Sequence, residues 1–247
     1  MGCALVLALT GVAGPSRSSV SLARESSRPT YTLLQMNLCL SGFARCYGKV
    51  AYPAGVEDAI ARIRTAHPDA VTLNETCRRD VAEIARRTGY NLRFSTVTVS
   101  GRPLACVRPG GRGHFGDAVL TRAAIDRSSS HDFHAQAGPE WRRWLCVTTR
   151  AGVDVCTAHL ASEGPANAAQ CAELTGILER RATVIFGGDV NRSRACAPDR
   201  AWTRTDASAD QAPGLQGVYG TGALRSPSTR VLPASHTDHD ILLVRAH

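Results

Sequence analysis

The stretch from Thr183 to Asn191, Thr-Val-Ile-Phe-Gly-Gly-Asp-Val-Asn, is the most informative part of the chain, because an apolar run leads directly into a carboxylate and an amide. The run at 184–186 is typical of a central strand that is covered on both faces. The two glycines that follow have no Cβ, so backbone or a ligand can come close. Alternate residues of an extended chain point the same way, so Asp189 and Asn191 are expected together at the carboxyl end of this strand. Open α/β sheets bind their ligands at that end.

Five other short motifs occur along the chain. In order, they are Gln35-Met36-Asn37, Asn74-Glu75-Thr76, Phe115-Gly-Asp-Ala-Val-Leu-Thr-Arg122, Thr157-Ala158-His159-Leu160 and Thr237-Asp238-His239. Together with Gly-Asp-Val-Asn at 188–191, they resemble the ordered motifs of the endonuclease/exonuclease/phosphatase superfamily, the deoxyribonuclease I-like metal-dependent phosphoesterases. The resemblance is to a secreted bacterial member. It implies an α/β (α+β) fold, a four-layer sandwich of two packed mixed β-sheets flanked by helices.

The order of predicted elements agrees with that architecture. Apolar residues at helical spacing predict helices over 55–66, 78–88 and 166–181. Strands are predicted at 31–38, 70–73, 115–122, 216–219 and 241–244, and a hairpin is predicted from 144–149 and 153–159. Helices and strands alternate first, and strands cluster later.

Length and charge restrict the protein class. A chain of 247 residues suits one α/β domain, and we expect it over residues 31–247. Basic residues outnumber acidic ones by 29 to 21, which favours polyanionic partners such as nucleic acid. A basic surface without such a partner is the alternative.

The amino-terminal segment has the character of an export signal. Its apolar run is too short to span a bilayer and ends in small residues, so residues 1–23 are predicted to be a signal peptide and 24–30 a disordered leader. Cleavage after Gly14 is a second possibility, and a buried helix is the structural alternative. We therefore expect a secreted, extracellular protein without stable membrane insertion, and a monomer.

Cysteine usage also suggests export, because eight cysteines remain after residue 23. A hairpin centred at residue 151 places Cys146 directly opposite Cys156, which predicts a disulfide. Proximity along the chain suggests Cys39 with Cys46 and Cys171 with Cys196. The chain has no Cys-x-x-Cys pair, which argues against zinc.

The resemblance implies a divalent metal, Mg²⁺ or Mn²⁺, because these hard ions take a few oxygen ligands and keep several waters. The strand-end Glu75 corresponds to the metal-binding glutamate of the family. Asn37, which lies beside it in the pattern, is likewise carried over as a metal-site residue. Asp238 corresponds to the carboxylate near the metal and is counted with the catalytic residues as well. An ordinary surface carboxylate is the alternative for Glu75.

The resemblance also assigns the catalytic residues. Asp189 and Asn191 correspond to the pair that orients the attacking water and contacts the phosphate. His159 and His239 correspond to the two histidines that bind the phosphoryl oxygens, one of which can move protons. Structural histidines are the alternative for both.

One expected motif is missing. The family has an Ile-Asp-Tyr segment whose aspartate pairs with the last histidine, and here Gln216 occupies that place. Asp206, Asp210 and Asp240 are the candidates to replace it as the partner of His239.

Two arginine-rich segments are candidate substrate contacts. The segment 102–114 contains Arg102, Arg108, Arg112 and His114 among glycines, a composition suited to gripping a phosphodiester backbone. Arg142 and Arg143 lie between two tryptophans, a pattern suited to stacking on bases. The alternatives are a solvated loop for the first segment and a core-facing strand for the second.

Taken together, the sequence predicts a secreted, divalent-metal-dependent phosphodiesterase that acts on nucleic acid. A phospholipid or sphingomyelin phosphodiesterase, or a small-molecule phosphatase, has the same motifs and is the alternative. A catalytically silent binding module with the same fold is the remote alternative.

Overall fold

Strands dominate the structure, a computed structural model that describes residues 1–2, 30–162, 164–225 and 227–247. The expected signal peptide (1–23) and leader (24–30) lie outside the described residues, apart from residues 1, 2 and 30. In the described part, the elements are β1 (Tyr31–Asn37), α1 (Tyr47–Val50), α2 (Ala54–Ala66), β2 (Ala70–Cys77), α3 (Arg78–Thr88), β3 (Asn91–Thr96), β4 (Thr98–Val99), β5 (Arg102–Pro103), β6 (Phe115–Thr121), β7 (Ile125–Asp132), β8 (Glu140–Trp141), β9 (Arg143–Thr149), β10 (Asp154–Ala158), α4 (Gly164–Glu179), β11 (Val184–Asp189), β12 (Trp202–Thr205), β13 (Gln216–Gly220), β14 (Ser228–Leu232) and β15 (Ile241–Ala246).

Two six-stranded sheets carry the fold. The first has the order β14-β15-β1-β2-β6-β3, and the second has the order β12-β13-β11-β10-β9-β7. Each sheet is mixed, because its central pair, β1 with β2 or β10 with β11, is parallel while the outer neighbours are antiparallel. Parallel neighbours need a crossover, which α1 and α2 supply in the first sheet and α4 in the second.

The two sheets pack face to face, and helices cover their outer faces. Between the sheets lie apolar side chains such as Leu33, Val155 and Ile185. Side chains of α2 and α3 pack on the outer face of the first sheet, and those of α4 pack on the second. The four-layer α/β sandwich expected from the sequence is therefore the observed fold.

Two glycines in β11 allow this close packing. A Cβ at Gly187 would overlap the Thr72 hydroxyl and the Leu33 side chain of the opposite sheet. A Cβ at Gly188 would overlap the carbonyl oxygen of Ala158 in the neighbouring strand. The glycines are thus required by packing within the protein.

The structure differs from the sequence prediction mainly in three places. Strand β2 continues to Cys77, with a register shift between Leu73 and Thr76, so Glu75 lies in a bulge within the strand and not beyond its end. Glu75 has a φ of 54°, the left-handed backbone that such a bulge needs. Helix α4 begins and ends two residues earlier than 166–181, and strands β12 and β14 are among those that the sequence did not predict.

Four disulfides tie the described part together: Cys39–Cys46, Cys77–Cys106, Cys146–Cys156 and Cys171–Cys196. Cys146 is paired with Cys156 in the register of β9 and β10, as the hairpin predicts. The bond between Cys77 and Cys106 was not anticipated. It joins the end of β2 to the segment before β6.

Candidate active site

Side chains from the central strands of both sheets meet at the carboxyl ends of those strands. Asn37 ends β1, Glu75 lies near the end of β2, His159 follows β10 and Asp189 ends β11. Strand β11 packs against β1 and β2, and His159 forms a parallel bridge with Asp189. Because each central pair is parallel, the carboxyl ends of its two strands lie at the same edge of their sheet. The packing of the two sheets brings these two edges together.

The Asn37 side chain links the two carboxylates of this site. Its Nδ2 donates to Glu75 Oε1 at 2.9 Å and to Asp189 Oδ2 at 3.0 Å. The same Asp189 oxygen lies 3.5 Å from His239 Nε2 and 3.8 Å from His159 Nε2. Five predicted residues are therefore neighbours: Asn37, Glu75, His159, Asp189 and His239. The first and the last of them are more than 200 positions apart in the sequence.

Asn191 takes part in a different way from the one expected. It has a φ of 51°, so the chain turns after Asp189 and does not stay extended. Its backbone N–H donates to Asp189 Oδ1 at 3.1 Å, while its side-chain nitrogen donates to the carbonyl oxygen of Leu160 at 2.9 Å. Asn191 thus orients Asp189 through its backbone.

A buried polar network supports the site from behind. Asn74 Oδ1 accepts hydrogen bonds from Gln35 Nε2 at 2.8 Å and from the backbone N–H of Asp189 at 2.9 Å. Its Nδ2 donates to Asp117 Oδ1 at 2.9 Å and to Thr157 Oγ1 at 3.3 Å. Since Asn74 contacts both sheets, it fixes Asp189 relative to Glu75.

Sequence reasoning did not include Asn74 and Asp117 among the site residues. A signal was present, because Asn74 directly precedes Glu75 and Asp117 stands where the family pattern has an asparagine. Both lie inside family motifs, and both belong to the buried network behind the site.

Burial changes the proton affinities of the site. Partial burial raises the pKa of Glu75, and the Asn37 hydrogen bond opposes that rise. Burial also raises the pKa of Asp189, and it raises the pKa of Asp117 to about 7. Burial lowers the pKa of His159 well below its ordinary value, with further lowering by Arg142 and His239. His159 is therefore neutral at pH 7, and the carboxylates lack a full counter-charge.

The donor set fits a hard divalent cation. Glu75 and Asp189 offer carboxylate oxygens, and in the described part of the chain Glu75 forms no ion pair with an arginine or lysine. A cation would offset the cost of keeping buried carboxylates charged. Asn37 uses its Oδ1 to accept from the Cys39 N–H at 3.1 Å, so in this conformation it faces the carboxylates as a donor.

Asp238 lies to one side of these residues. Its carboxylate is within 4.8 Å of the sulfur atoms of Cys39 and Cys46, which are bonded to each other and so are not metal ligands. The Thr237 hydroxyl contacts the Asp238 carboxylate at 3.4 Å and donates to the Asn37 carbonyl oxygen at 2.8 Å. The motif is thus anchored to the end of β1.

The partner expected for His239 is not found among the described residues. His239 is 7% exposed, and its Nδ1 has no hydrogen-bond partner there. Gln216 Nε2 donates instead to Asp206 Oδ2 at 3.0 Å and to the Asp240 carbonyl oxygen at 2.6 Å. The Asp240 carboxylate accepts from backbone N–H groups, including that of Asp210 at 2.9 Å. The three aspartates proposed from the sequence hold loops and Gln216, and they do not bind His239.

The structure separates the predicted substrate-binding residues. Arg142 lines the same cavity as Glu75 and His159. Arg112 is 4% exposed and donates to Asp80 Oδ2 at 2.6 Å, so its prediction as a substrate contact is wrong. Arg143 points to Asp132 and to the Ser95 hydroxyl, and His114 does not line the cavity. Arg102 and Arg108 are exposed outside the cavity lining.

A four-layer α/β sandwich whose strand ends join carboxylates, an amide and two imidazoles defines a class of phosphoric ester hydrolases. The chain matches the model of the Endonuclease/Exonuclease/phosphatase family over residues 44–239, and it belongs to that family. The family assignment made from the motifs is therefore confirmed. Among curated proteins, no sequence matches the chain significantly.

Solved structures have the same fold. An endonuclease/exonuclease/phosphatase protein from Beutenbergia cavernae has 17% identity and a TM-score of 0.65, covering 89% of this chain and 72% of its own. Human nocturnin, as its catalytic domain with bound sulfate, has 14% identity and a TM-score of 0.62, covering 89% and 93%. Danio rerio TDP2, complexed with a single-strand DNA product, has 14% identity and a TM-score of 0.60, covering 88% and 99%. At such identity, the likeness concerns the fold.

Proposed function

We propose that the protein is an exported, divalent-metal-dependent phosphodiesterase that hydrolyses nucleic acid. The observation that carries the proposal is the meeting of Glu75, Asp189, His159 and His239 at the ends of the central strands. Two further facts favour nucleic acid. The chain has a net charge of +8, and a protein of the same fold was solved with a DNA product.

Glu75 would hold Mg²⁺ or Mn²⁺ through its carboxylate oxygens, with Asn37 beside it as a predicted metal-site residue, while Asp189 would act on the attacking water. Asp238 stays a predicted contributor. When bound, the ion neutralises phosphate charge and lowers the pKa of its bound water. Asn37, which donates to both carboxylates, keeps their spacing fixed before substrate arrives.

In the reaction, a water oxygen bonds to phosphorus as one phosphorus–ester oxygen bond breaks. The water proton passes to Asp189 Oδ2, whose carboxylate is already oriented by the Asn191 N–H and by Asn37. Neutral His159 donates from its imidazole N–H to a phosphoryl oxygen, and His239 binds another. The leaving oxygen takes a proton from solvent water and Asp189 returns its proton to solvent, so the products are an alcohol and a phosphate monoester.

Glu75→Gln tests this proposal, because it keeps the side-chain shape and removes the charge. We expect hydrolysis to fall by two or more decades, the order seen when one charge-stabilising group is lost. Substrates are plasmid DNA, RNA, sphingomyelin vesicles and bis(p-nitrophenyl) phosphate, each with Mg²⁺, with Mn²⁺ and with EDTA. Binding of Mn²⁺, followed by electron paramagnetic resonance, should weaken in the same variant.

Glu83→Gln is the matched control, since Glu83 lies on the exposed side of α3 and pairs with Arg86. It should retain full activity and Mn²⁺ binding. Full activity of Glu75→Gln would contradict the metal site. Turnover of sphingomyelin without turnover of DNA or RNA would favour the lipid alternative, and no turnover at all would favour the silent module.

A further inference from the structure

The cavity beside the catalytic carboxylate has two unlike walls. Its volume is about 460 Å³, within the usual range for small-ligand sites. Glu75, His159 and Arg142 supply the polar wall. Five apolar side chains, here called the apolar wall, also line the cavity: Phe43, Val99, Leu104, Phe115 and Pro139. Ser41, Ala44 and Glu140 complete the lining. A phosphate group would use the polar residues alone, which leaves the apolar wall for a second part of the substrate.

Phe43 is the most exposed member of the apolar wall. Its relative exposure is 56%, and the other exposed large apolar residues of the described chain, such as Val107 and Trp141, do not line the cavity. An aromatic ring left in water gains no burial energy in the free protein. The ring is therefore available to a ligand.

The loop that carries Phe43 is attached to the catalytic residues. The Cys39–Cys46 disulfide closes this loop, and the Cys39 N–H donates to Asn37 Oδ1 at 3.1 Å. The Leu40 N–H donates to the Glu75 carbonyl oxygen at 2.7 Å. Within the loop, the Phe43 N–H donates to Ser41 Oγ at 3.1 Å. The backbone of the loop is thus tied to Asn37 and Glu75, and the loop carries Phe43 in the lining of the same cavity.

Arg142 completes the arrangement. Its guanidinium is 3.3 Å from the Glu140 carboxylate, and it lines the same cavity as Glu75 and His159. A cation and an exposed aromatic ring that line the same cavity as Glu75 together suit a phosphate that carries a flat neighbouring group. A nucleotide unit has that chemistry, because its base stacks on an aromatic ring while its phosphate meets the arginine.

We propose that Phe43 is a stacking platform for the nucleobase next to the scissile phosphate, and that the enzyme selects unpaired, single-stranded nucleic acid. This inference rests on the proposed function. Single strands are required because the faces of bases inside a duplex are covered by their neighbours. Phe43 is a specificity-determining residue, and the reacting atoms remain with Glu75 and Asp189.

Two matched DNA oligomers test the inference, each with one phosphodiester and methylphosphonate at all other linkages. One has bases throughout, and the other has abasic units on both sides of the cleavable linkage. For Phe43→Ala we expect KM for the first oligomer to rise about tenfold, the order for loss of one stacked base, with little change in kcat. KM for the abasic oligomer should be equal in parent and variant. Phe43→Trp should restore the low KM.

Val107→Ala is the control, because Val107 is 40% exposed and lies outside the cavity lining. It should leave both KM values unchanged, and all variants should keep the parent's melting temperature. If the parent cleaves both oligomers and Phe43→Ala has the same KM as the parent for the first oligomer, the stacking role is overturned. Loss of sphingomyelin turnover in Phe43→Ala, with unchanged oligomer kinetics, would also overturn it. Failure of the parent to cleave any oligomer would contradict the proposed function itself.

Discussion

Asp117 is a buried charge at a position where the family pattern has a neutral amide. It is 3% exposed and accepts a hydrogen bond from Asn74, which in turn holds the backbone of Asp189. Burial raises its pKa from the ordinary 3.8 to about 7. A carboxylate in this place costs stability, and that cost depends on pH.

The sign of this dependence follows from proton binding. The folded state binds the Asp117 proton more tightly than the unfolded state, so the free energy of unfolding falls as pH rises from about 4 to about 7. Asp117→Asn removes the charge and keeps an acceptor for Asn74. At pH 8 we expect unfolding free energy to increase by up to roughly 4 kcal/mol, at 1.36 kcal/mol per pKa unit, and to change little at pH 4.

Urea unfolding in EDTA at pH 4, 6 and 8 measures the effect without interference from metal. Asp126→Asn is the control, because the Asp126 side chain is 46% exposed. It should change stability by much less at every pH. A stability difference for Asp117→Asn that does not vary with pH would contradict the raised pKa.

The segment between β5 and β6 is held in place by the side chain of one of its own residues, Arg112. Arg112 donates to the carbonyl oxygens of Pro109 at 3.0 Å and of Leu40 at 2.6 Å, and its guanidinium lies 4.8 Å from the centre of the Tyr52 ring. Its ion pair with Asp80 connects the segment to α3. The Cys77–Cys106 disulfide connects it to β2. The segment is thus part of the scaffold that surrounds the site.

Variants of Arg112 and Arg142 distinguish an arginine that supports the fold from an arginine that contacts the substrate. Arg112→Met leaves the buried Asp80 carboxylate without its partner and should reduce the free energy of unfolding by about 3–5 kcal/mol. Arg142→Met removes a partly exposed pair with Glu140 and should cost about 1 kcal/mol or less. When the two variants are compared at the same fraction of folded protein, only Arg142→Met should raise KM for DNA.

Chemical unfolding and steady-state kinetics on the same preparations check both effects. A destabilised Arg142→Met with normal KM, or a stable Arg112→Met with raised KM, would reverse the two roles.

The whole molecule repeats one arrangement in each half. Each sheet has a central parallel pair, and the four carboxyl ends of those pairs form a single site. Disulfides occur in both halves, with Cys39–Cys46 and Cys77–Cys106 near the first sheet and Cys146–Cys156 within the second. Cys171–Cys196 joins α4 to the segment after β11. No helix in the described part is long and apolar enough to cross a membrane.

Export predicts a fully oxidised chain, because disulfides persist in oxidising compartments. Protein from its native source, denatured without reductant, should have no titratable thiol among the cysteines between residues 39 and 196. Reduction should expose all eight. Peptide mapping should link Cys77 to Cys106. Eight free thiols before reduction would contradict both export and the disulfide pattern.

The sequence by itself was sufficient for the family, for the layers of the sandwich and for choosing residues that the structure brings together at the strand ends. These features depend on short stretches of sequence. An apolar run ending in Gly-Gly-Asp predicts a buried strand with a polar end, and apolar residues at helical spacing predict α2 and α3. The register of Cys146 with Cys156 is equally local, because a short hairpin fixes it. Motif order then places distant strand ends at one edge.

Only the tertiary structure decided which arginine faces the cavity, how Asn191 is turned and what surrounds His239. An arginine in a glycine-rich segment contacts whatever the folded segment brings near, and for Arg112 that is Asp80 on a helix more than thirty residues away. The bulge at Glu75 depends on pairing between β2 and β6, whose partners are distant in sequence. Contacts of this kind form through long-range packing, so no local pattern encodes them.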